Sequence, residues 1–172
     1  MSKCNYCGKG INFFTAKSCA CCHKEMCGKC ITPVEYSGYT CKLLEKVEKD
    51  FVQPYSTFVF FGKHYLCHEC AVGYNSKFSR MSDAEKKNSD IETFPNTYKG
   101  KLINRLTKVK RLSSAYYRDR SDAEEELRTM AKYLGCTHVI EICWDRYECE
   151  EKGPKGGTHV YNEWSAVGYA AK

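Results

Sequence analysis

The sequence lacks a long hydrophobic run, since nowhere do about 18 consecutive apolar residues occur. No helix is therefore predicted to span a bilayer. The first residues, Met-Ser-Lys-Cys-Asn-Tyr-Cys, contain no apolar core, so no secretory signal is expected. Internal repeats and low-complexity segments are also missing. Without a signal, the chain is predicted to be cytoplasmic, where cysteines rarely form disulfides.

Cysteine, by contrast, is abundant, with an odd count of 13 in 172 residues. Eight of them form four Cys-x2-Cys pairs: Cys4 and Cys7, Cys19 and Cys22, Cys27 and Cys30, Cys67 and Cys70. Two intervening residues allow one tight turn to direct both sulfurs at one ion. Eight thiolates predict two Zn²⁺ per chain in closed tetrahedral sites, which are structural rather than catalytic. Lysines beside the pairs would offset the excess negative charge: Lys3, Lys9, Lys24 and Lys29.

The spacing of the middle cysteines resembles the cross-brace of FYVE and RING zinc modules. That resemblance implies one site from Cys4, Cys7, Cys27 and Cys30, and a second from Cys19, Cys22, Cys67 and Cys70. A zinc-ribbon arrangement is the alternative, and it would place Cys4, Cys7, Cys67 and Cys70 together. In the second site, His23 or Cys21 is an alternative ligand to Cys22. The remaining cysteines are predicted to be buried residues or spare thiols: Cys41, Cys136, Cys143 and Cys149.

Neither resemblance transfers its function in full. FYVE modules recognise phosphoinositides through a basic stretch, but residues 17–24 have only scattered basic residues and the upstream Trp-x-x-Asp motif is missing. Phosphoinositide binding is therefore not expected. RING modules recruit conjugating enzymes through an apolar residue after the second cysteine and a tryptophan near the sixth. Here Gly8 follows Cys7 and the first tryptophan is Trp144, so ubiquitin ligation is only a further alternative.

The fold class predicted for the chain is α+β, with a small two-zinc cross-brace module followed by a βαββ domain. Residues 1–80 are predicted to form the zinc module, the polar residues 81–95 a linker, and residues 96–172 the second domain. The polar stretch 81–93 is also compatible with a short exposed helix. Within the first domain, apolar spacing predicts a helix over 42–51. The β-branched and aromatic residues 57–61, followed by Gly62, predict a strand and a hairpin turn.

The second domain is predicted to begin with a strand over 99–112. Ser121 and Glu124 match a capping box at a helix start, and Gly135 is placed to end that helix. The helix is expected to bury one apolar face: Ala123, Leu127, Met130, Ala131 and Leu134. Strands over 137–147 and 160–170 follow, joined by a loop at 153–157. The segments 131–140 and 166–170 resemble the YbjQ-type family, which implies a compact α+β domain that often forms rings by strand association.

The net charge of +6 is unevenly distributed. Residues 98–120 hold eight basic side chains against one acid, whereas residues 121–172 hold six basic and ten acidic side chains. Tyrosines Tyr98, Tyr116 and Tyr117 lie in the basic segment and would stack on bases. The candidate anion or nucleic-acid contacts are Lys24, Lys29, Arg105, Lys108, Lys110 and Arg111. The alternative is a solvated strand partly neutralised by an acidic helix.

No catalytic constellation emerges from the sequence. The loop at 153–158 lacks the Gly-Lys-Ser/Thr order of a phosphate loop. Cys136 and His138 share one strand face, but no acid or oxyanion donor accompanies them. The sequence therefore favours a non-enzymatic zinc-binding interaction or assembly module with a protein partner or self-association. RNA or ribonucleoprotein binding is the alternative function.

Overall fold

The computed structural model describes residues 2–12, 16–35, 38–47, 63–154 and 156–172. The chain forms two compact units, Met1–Arg80 and Met81–Lys172. Helices and strands occur together along the chain, which confirms the α+β prediction. The predicted strand at 57–61, the turn at Gly62 and the end of the helix predicted over 42–51 lie outside the described residues. None of the described helices is long and apolar enough to cross a membrane.

The first unit is built from short antiparallel strand pairs. Strands β1 (Ser2–Lys3) and β2 (Gly10–Ile11) pair, as do β3 (Lys17–Ser18) and β4 (Glu25–Met26). Strand β5 (Ile31–Glu35) precedes helix α1 (Gly38–Val47) and pairs with β6 (Lys63–Cys67), which leads directly into helix α2 (His68–Lys86). In the described part of this unit the buried apolar side chains include Ile11, Met26, Leu43, Leu44 and Leu66.

The second unit contains a four-stranded sheet with a helix, α3 (Arg120–Tyr133). Its strands are β7 (Glu92–Pro95), β8 (Lys108–Ser113), β9 (His138–Lys152) and β10 (Thr158–Ala171), in the spatial order β7-β9-β10-β8. Strand β7 runs parallel to β9, and the other pairs are antiparallel. The sheet therefore has one strand more than the predicted βαββ unit. The predicted first strand, 99–112, is also shortened, because Ile103–Arg105 forms a 3-10 turn.

Strand β7 comes from the segment 81–95 that was predicted to be a linker. This segment is the end of α2, a 3-10 turn at Asn88–Asp90 and β7. Met81, Ala84, Asn88 and Ile91 are buried at intervals of three and four residues within otherwise polar sequence. The segment is therefore helical only up to Lys86, as one of the two predictions for it had it, and it is not fully exposed, because polar composition hides this helical spacing of a few buried positions.

Helix α3 buries the predicted face in most positions. Ala123, Leu127, Met130 and Ala131 are buried, whereas Leu134 is half-buried. The helix ends as predicted at Gly135, whose φ is +68°. The Gly135 and Cys136 amides donate to the Lys132 and Ala131 carbonyls, both at 2.9 Å, which is a Schellman motif.

The capping box predicted at the start of α3 does not form. The helix begins at Arg120 with Asp119 as N-cap, and no side chain caps it. Glu124 is occupied elsewhere, because its carboxylate accepts hydrogen bonds from Thr93 on β7 and from Arg128, both at 2.6 Å. Glu124 therefore makes a tertiary contact with β7 instead of the local capping box with Ser121.

Candidate metal centres

The structure groups the eight paired cysteines into two sets of four. The first centre consists of Cys4, Cys7, Cys27 and Cys30, and the second centre of Cys19, Cys22, Cys67 and Cys70. Within each set, all four sulfur atoms lie within 4.8 Å of one another. These are the sets that the cross-brace resemblance implies, and the zinc-ribbon grouping is not formed.

The sulfur spacing fits a tetrahedral metal ion. The Sγ atoms of Cys7 and Cys27 are 3.8 Å apart, and those of Cys22 and Cys67 are 3.7 Å apart. A Zn–S bond of about 2.3 Å requires about 3.8 Å between sulfurs at the corners of a tetrahedron. A disulfide would need about 2.05 Å. The sulfurs therefore stand at the distance that a shared ion demands and not at a bonding distance.

Two backbone contacts explain why distant cysteine pairs meet. The Asn5 amide, inside the first pair, donates to the Glu25 carbonyl on β4 at 3.0 Å, and β4 leads directly to Cys27. The Ala20 amide, inside the second pair, donates to the Tyr65 carbonyl on β6 at 2.9 Å, and β6 ends at Cys67. Each loop is thus hydrogen-bonded to the strand that carries the other half of its centre.

The loops at Cys4 and Cys19 have the same backbone geometry. In the first, the Cys4 amide donates to the Lys9 carbonyl at 2.8 Å and the Gly8 amide to the Cys4 carbonyl at 2.9 Å. In the second, the equivalent bonds join Cys19 to Lys24 at 3.0 Å and His23 to Cys19 at 2.9 Å. Both loops require a left-handed residue directly after the second cysteine.

His23 occupies the position in the second loop that Gly8 occupies in the first. Its φ is +59° and that of Gly8 is +71°. Cys22, rather than His23, contributes to the second set of sulfurs. The conformational role of His23 was missed, although its signal was present in the sequence: His23 and Gly8 have the same offset from their cysteine pairs.

Hydrogen bonds from backbone amides stabilise thiolates in both centres. The amides of Cys7 and Cys27 lower the pKa of Cys4 to about 6. Burial raises the pKa of Cys19, but the amides of Cys22, Cys67 and Cys21 outweigh it and bring that pKa to about 7. Thiolates that accept amide hydrogen bonds are suited to metal ligation.

Two other sulfurs, those of Cys30 and Cys70, bind a proton more strongly than an ordinary thiol. Hydrogen bonds with the Cys27 and Cys7 sulfurs raise the pKa of Cys30 to about 12. Burial, followed by the neighbouring Cys67 and Cys21 thiols, raises the pKa of Cys70. Four thiolates cannot ionise together at such short range without a compensating positive charge. Each centre is therefore a donor set that fits a divalent metal ion.

The other cysteines whose side chains the structure describes belong to neither set, and the side chain of Cys41 is not among those described. Cys136 is buried, Cys149 is half-buried and Cys143 is exposed. Burial raises the pKa of Cys136, which is opposite to the activation that a nucleophile needs. His138 contacts Thr137 at 2.7 Å and Glu92 at 3.7 Å.

The basic candidates have acidic partners in several places. The Lys108 Nζ lies 2.7 Å from a Glu141 carboxylate oxygen, and Arg118 lies 3.0 Å from Glu151. Lys24 lies 3.5 Å from Glu69, which raises the pKa of that lysine. The neutralising acids of the segment 98–120 thus include Glu141 and Glu151 on strand β9, whereas the sequence suggested an acidic helix. Lys110 and Arg111 are exposed on β8, Arg105 lies in a 3-10 turn, and Lys29 is exposed.

Comparison with known protein families, curated proteins and solved structures finds no match for the chain. The two groups of four cysteines are by themselves consistent with a zinc-finger-like module. The FYVE, RING and YbjQ-type resemblances stay sequence-based predictions.

Proposed function

We propose that the protein is a non-enzymatic zinc-binding protein, with two structural Zn²⁺ ions organising residues 1–80 as an interaction or assembly module. The observation that carries this proposal is the geometry of the two cysteine sets, whose sulfurs stand about one tetrahedral edge apart. Four thiolates leave no open coordination position for a substrate or water. A bound ion would therefore stabilise the module and would not act on a substrate.

The proposed domain division places the zinc module at residues 1–80 and a second α+β domain at residues 96–172, and residues 81–95 contribute strand β7 to the sheet of the second unit. The second domain supplies an unpaired strand edge. Strand β8 pairs only with β10 in the described part of the chain, and its Val109 side chain is 48% exposed. An open strand edge supports association by strand pairing, although its flanking lysines and arginine restrict the partners that it accepts.

Self-association or binding of a protein partner through β8 is the expected consequence. Light scattering coupled to size exclusion should give a mass above the monomer value of 19.8 kDa, or a complex with a partner. Val109→Glu should reduce that mass, because it places an acid in the strand-pairing surface. Val160→Glu is the matched control, since Val160 is 51% exposed on β10, outside β8. A strict monomer that captures no protein partner would count against the assembly role.

Nucleic-acid binding is the second candidate, favoured by the exposure of Lys110 and Arg111 on β8 and of Tyr98, which is 42% exposed. Fluorescence anisotropy with labelled single-stranded RNA should then show affinity that falls steeply with salt. Charge reversal at Lys110 and Arg111 should abolish binding, whereas charge reversal at Arg146, exposed on β9, should reduce it little. Binding that does not depend on salt, or none at low salt, would reject this candidate.

Ubiquitin ligation ranks below both of these functions. Gly8, with its left-handed backbone after Cys7, offers no apolar anchor for a conjugating enzyme. Phosphoinositide binding is not proposed.

A further inference from the structure

A cleft of about 630 Å³ lies on one face of the four-stranded sheet. Val167 and Tyr169 of β10 and Arg111 of β8 line it, and they alternate along their strands with the buried Leu112, Ala166 and Ala170. Because successive side chains in a strand point to opposite faces, the cleft is on the face away from the buried core. Its volume is within the range of small-ligand sites, roughly 300–1,000 Å³.

A bulge in β9 shapes this cleft. Glu141 lines it and has a φ of +57°, a conformation that non-glycine residues seldom adopt. The register between β9 and β10 shifts between Val167 and Tyr169, which places Gly168 at the irregularity. A Cβ on Gly168 would lie 3.1 Å from the Ile140 carbonyl oxygen and 3.1 Å from a Val139 methyl group. Gly168 therefore allows the close approach of the two strands, and such bulges commonly redirect a side chain at a binding site.

The two acids in the cleft already have partners. Glu141 pairs with Lys108 at 2.7 Å, and the Lys108 ammonium group also lies 4.5 Å from the centre of the Tyr169 ring. The Asp145 carboxylate accepts a hydrogen bond from the Tyr116 hydroxyl at 2.5 Å. Both carboxylates keep further acceptor capacity, since each ionised carboxylate has about four lone-pair sites.

The two cations in the lining have no such neutralisation. Lys99 and Arg111 line the cleft, and neither forms an ion pair with an acidic side chain among the described residues. An arginine guanidinium matches an oxyanion through two parallel hydrogen bonds. The Asn96 amide adds a neutral donor and acceptor, and Val167 and Tyr169 add apolar surface.

We propose that this cleft binds a small organic phosphate, with the phosphate group on Arg111 and Lys99 and ligand hydroxyl groups donating to Glu141 and Asp145. The carbon framework would then lie against Val167 and Tyr169. This site is separate from the cysteine centres, because every residue that lines it belongs to the second unit. Its occupancy therefore does not depend on the proposed zinc function.

Calorimetric titration with adenosine 5′-monophosphate tests the proposal, because this probe combines a phosphate ester, hydroxyl groups and a ring. The full-length zinc-loaded protein should bind it saturably and more tightly than it binds either inorganic phosphate or adenosine alone. Arg111→Ala should weaken binding about tenfold or more, since a charge-assisted hydrogen bond is lost. Lys99→Ala should also weaken binding of the probe. Because Lys99 lies in a segment without helix or strand, this variant tests the same site if Arg111→Ala folds poorly.

Arg146→Ala is the matched control, because it removes an equal charge from exposed β9 outside the cleft lining. It should leave the affinity unchanged. Cys143 gives a second readout, since its exposed thiol lines the cleft and its alkylation, followed by peptide mass spectrometry, should slow when the probe is bound. Three results would each overturn the proposal. The probe could fail to bind saturably, Arg111→Ala and Arg146→Ala could reduce its affinity equally, or the protein could bind inorganic phosphate as tightly as the probe.

Discussion

Removal of bound metal is expected to unfold residues 1–80 while residues 81–172 stay folded. In the first unit, the strand pairs β1–β2 and β3–β4 that carry cysteine loops are only two residues long on each side. A structural zinc site in a small module contributes about 10–16 kcal/mol, which is comparable to the whole stability of a domain, about 5–15 kcal/mol. The second unit has a sheet and a helix core of its own and does not contain the cysteine centres.

Hydrogen exchange with mass spectrometry, before and after chelation, checks this prediction region by region. Both tryptophans, Trp144 and Trp164, are in the second unit, so the tryptophan fluorescence should stay unchanged while exchange in the first unit accelerates. Elemental analysis of the untreated protein should give two zinc ions per chain. A single zinc, no zinc, or loss of exchange protection in both units together would contradict the prediction.

Paired cysteine substitutions are expected to separate the two centres. Cys7→Ser with Cys27→Ser removes two ligands from the first centre and should leave one zinc per chain. Cys7→Ser with Cys22→Ser removes one ligand from each centre and should weaken zinc binding at both, so that a competing chelator removes both ions. A serine hydroxyl is a poor substitute for a thiolate, and each lost ligand is expected to cost about 2.5–4 kcal/mol, a quarter of the binding free energy of a four-cysteine site.

The same experiment distinguishes the cross-brace grouping from the zinc-ribbon grouping, and Cys22 from His23 as the ligand. In a zinc-ribbon grouping, Cys7 and Cys27 belong to different sites, so their joint substitution would weaken both sites instead of removing one ion and leaving the other fully bound. His23→Gly should retain both ions, because glycine adopts the left-handed backbone of His23 without strain. Loss of one ion in His23→Gly, together with full occupancy in Cys22→Ser, would instead identify the histidine as the ligand. Cys143→Ser, outside both sets, is the control and should keep two ions.

The two centres also indicate how the first unit folds. Cys19 and Cys67 are 48 positions apart in sequence, yet the Cys67 amide contributes to lowering the pKa of the Cys19 thiol. The hydrogen bond between Ala20 and Tyr65 brings these regions together through the backbone. A metal ion in the second centre would therefore close a long loop, and the entropy cost of that closure is one reason to expect strong coupling between metal binding and folding.

Several features of the protein were determined by local sequence alone. Cysteines three residues apart place two sulfurs on one turn whatever the surrounding fold, so the eight ligand candidates were identifiable from spacing. The apolar face of α3 and its end at Gly135 were equally local, because both depend on residues within a few turns of one helix.

The tertiary structure alone decided the features that depend on distant residues. Which cysteine pairs share a centre follows from the contacts of Asn5 with Glu25 and of Ala20 with Tyr65. Glu124 accepts a hydrogen bond from Thr93 instead of forming the capping box, and β7 is held as a strand by pairing with β9. The bulge at Glu141 likewise needs Gly168 on the neighbouring strand. Local sequence does not encode these pairings, because each is selected by the packing and hydrogen bonding of segments far apart along the chain.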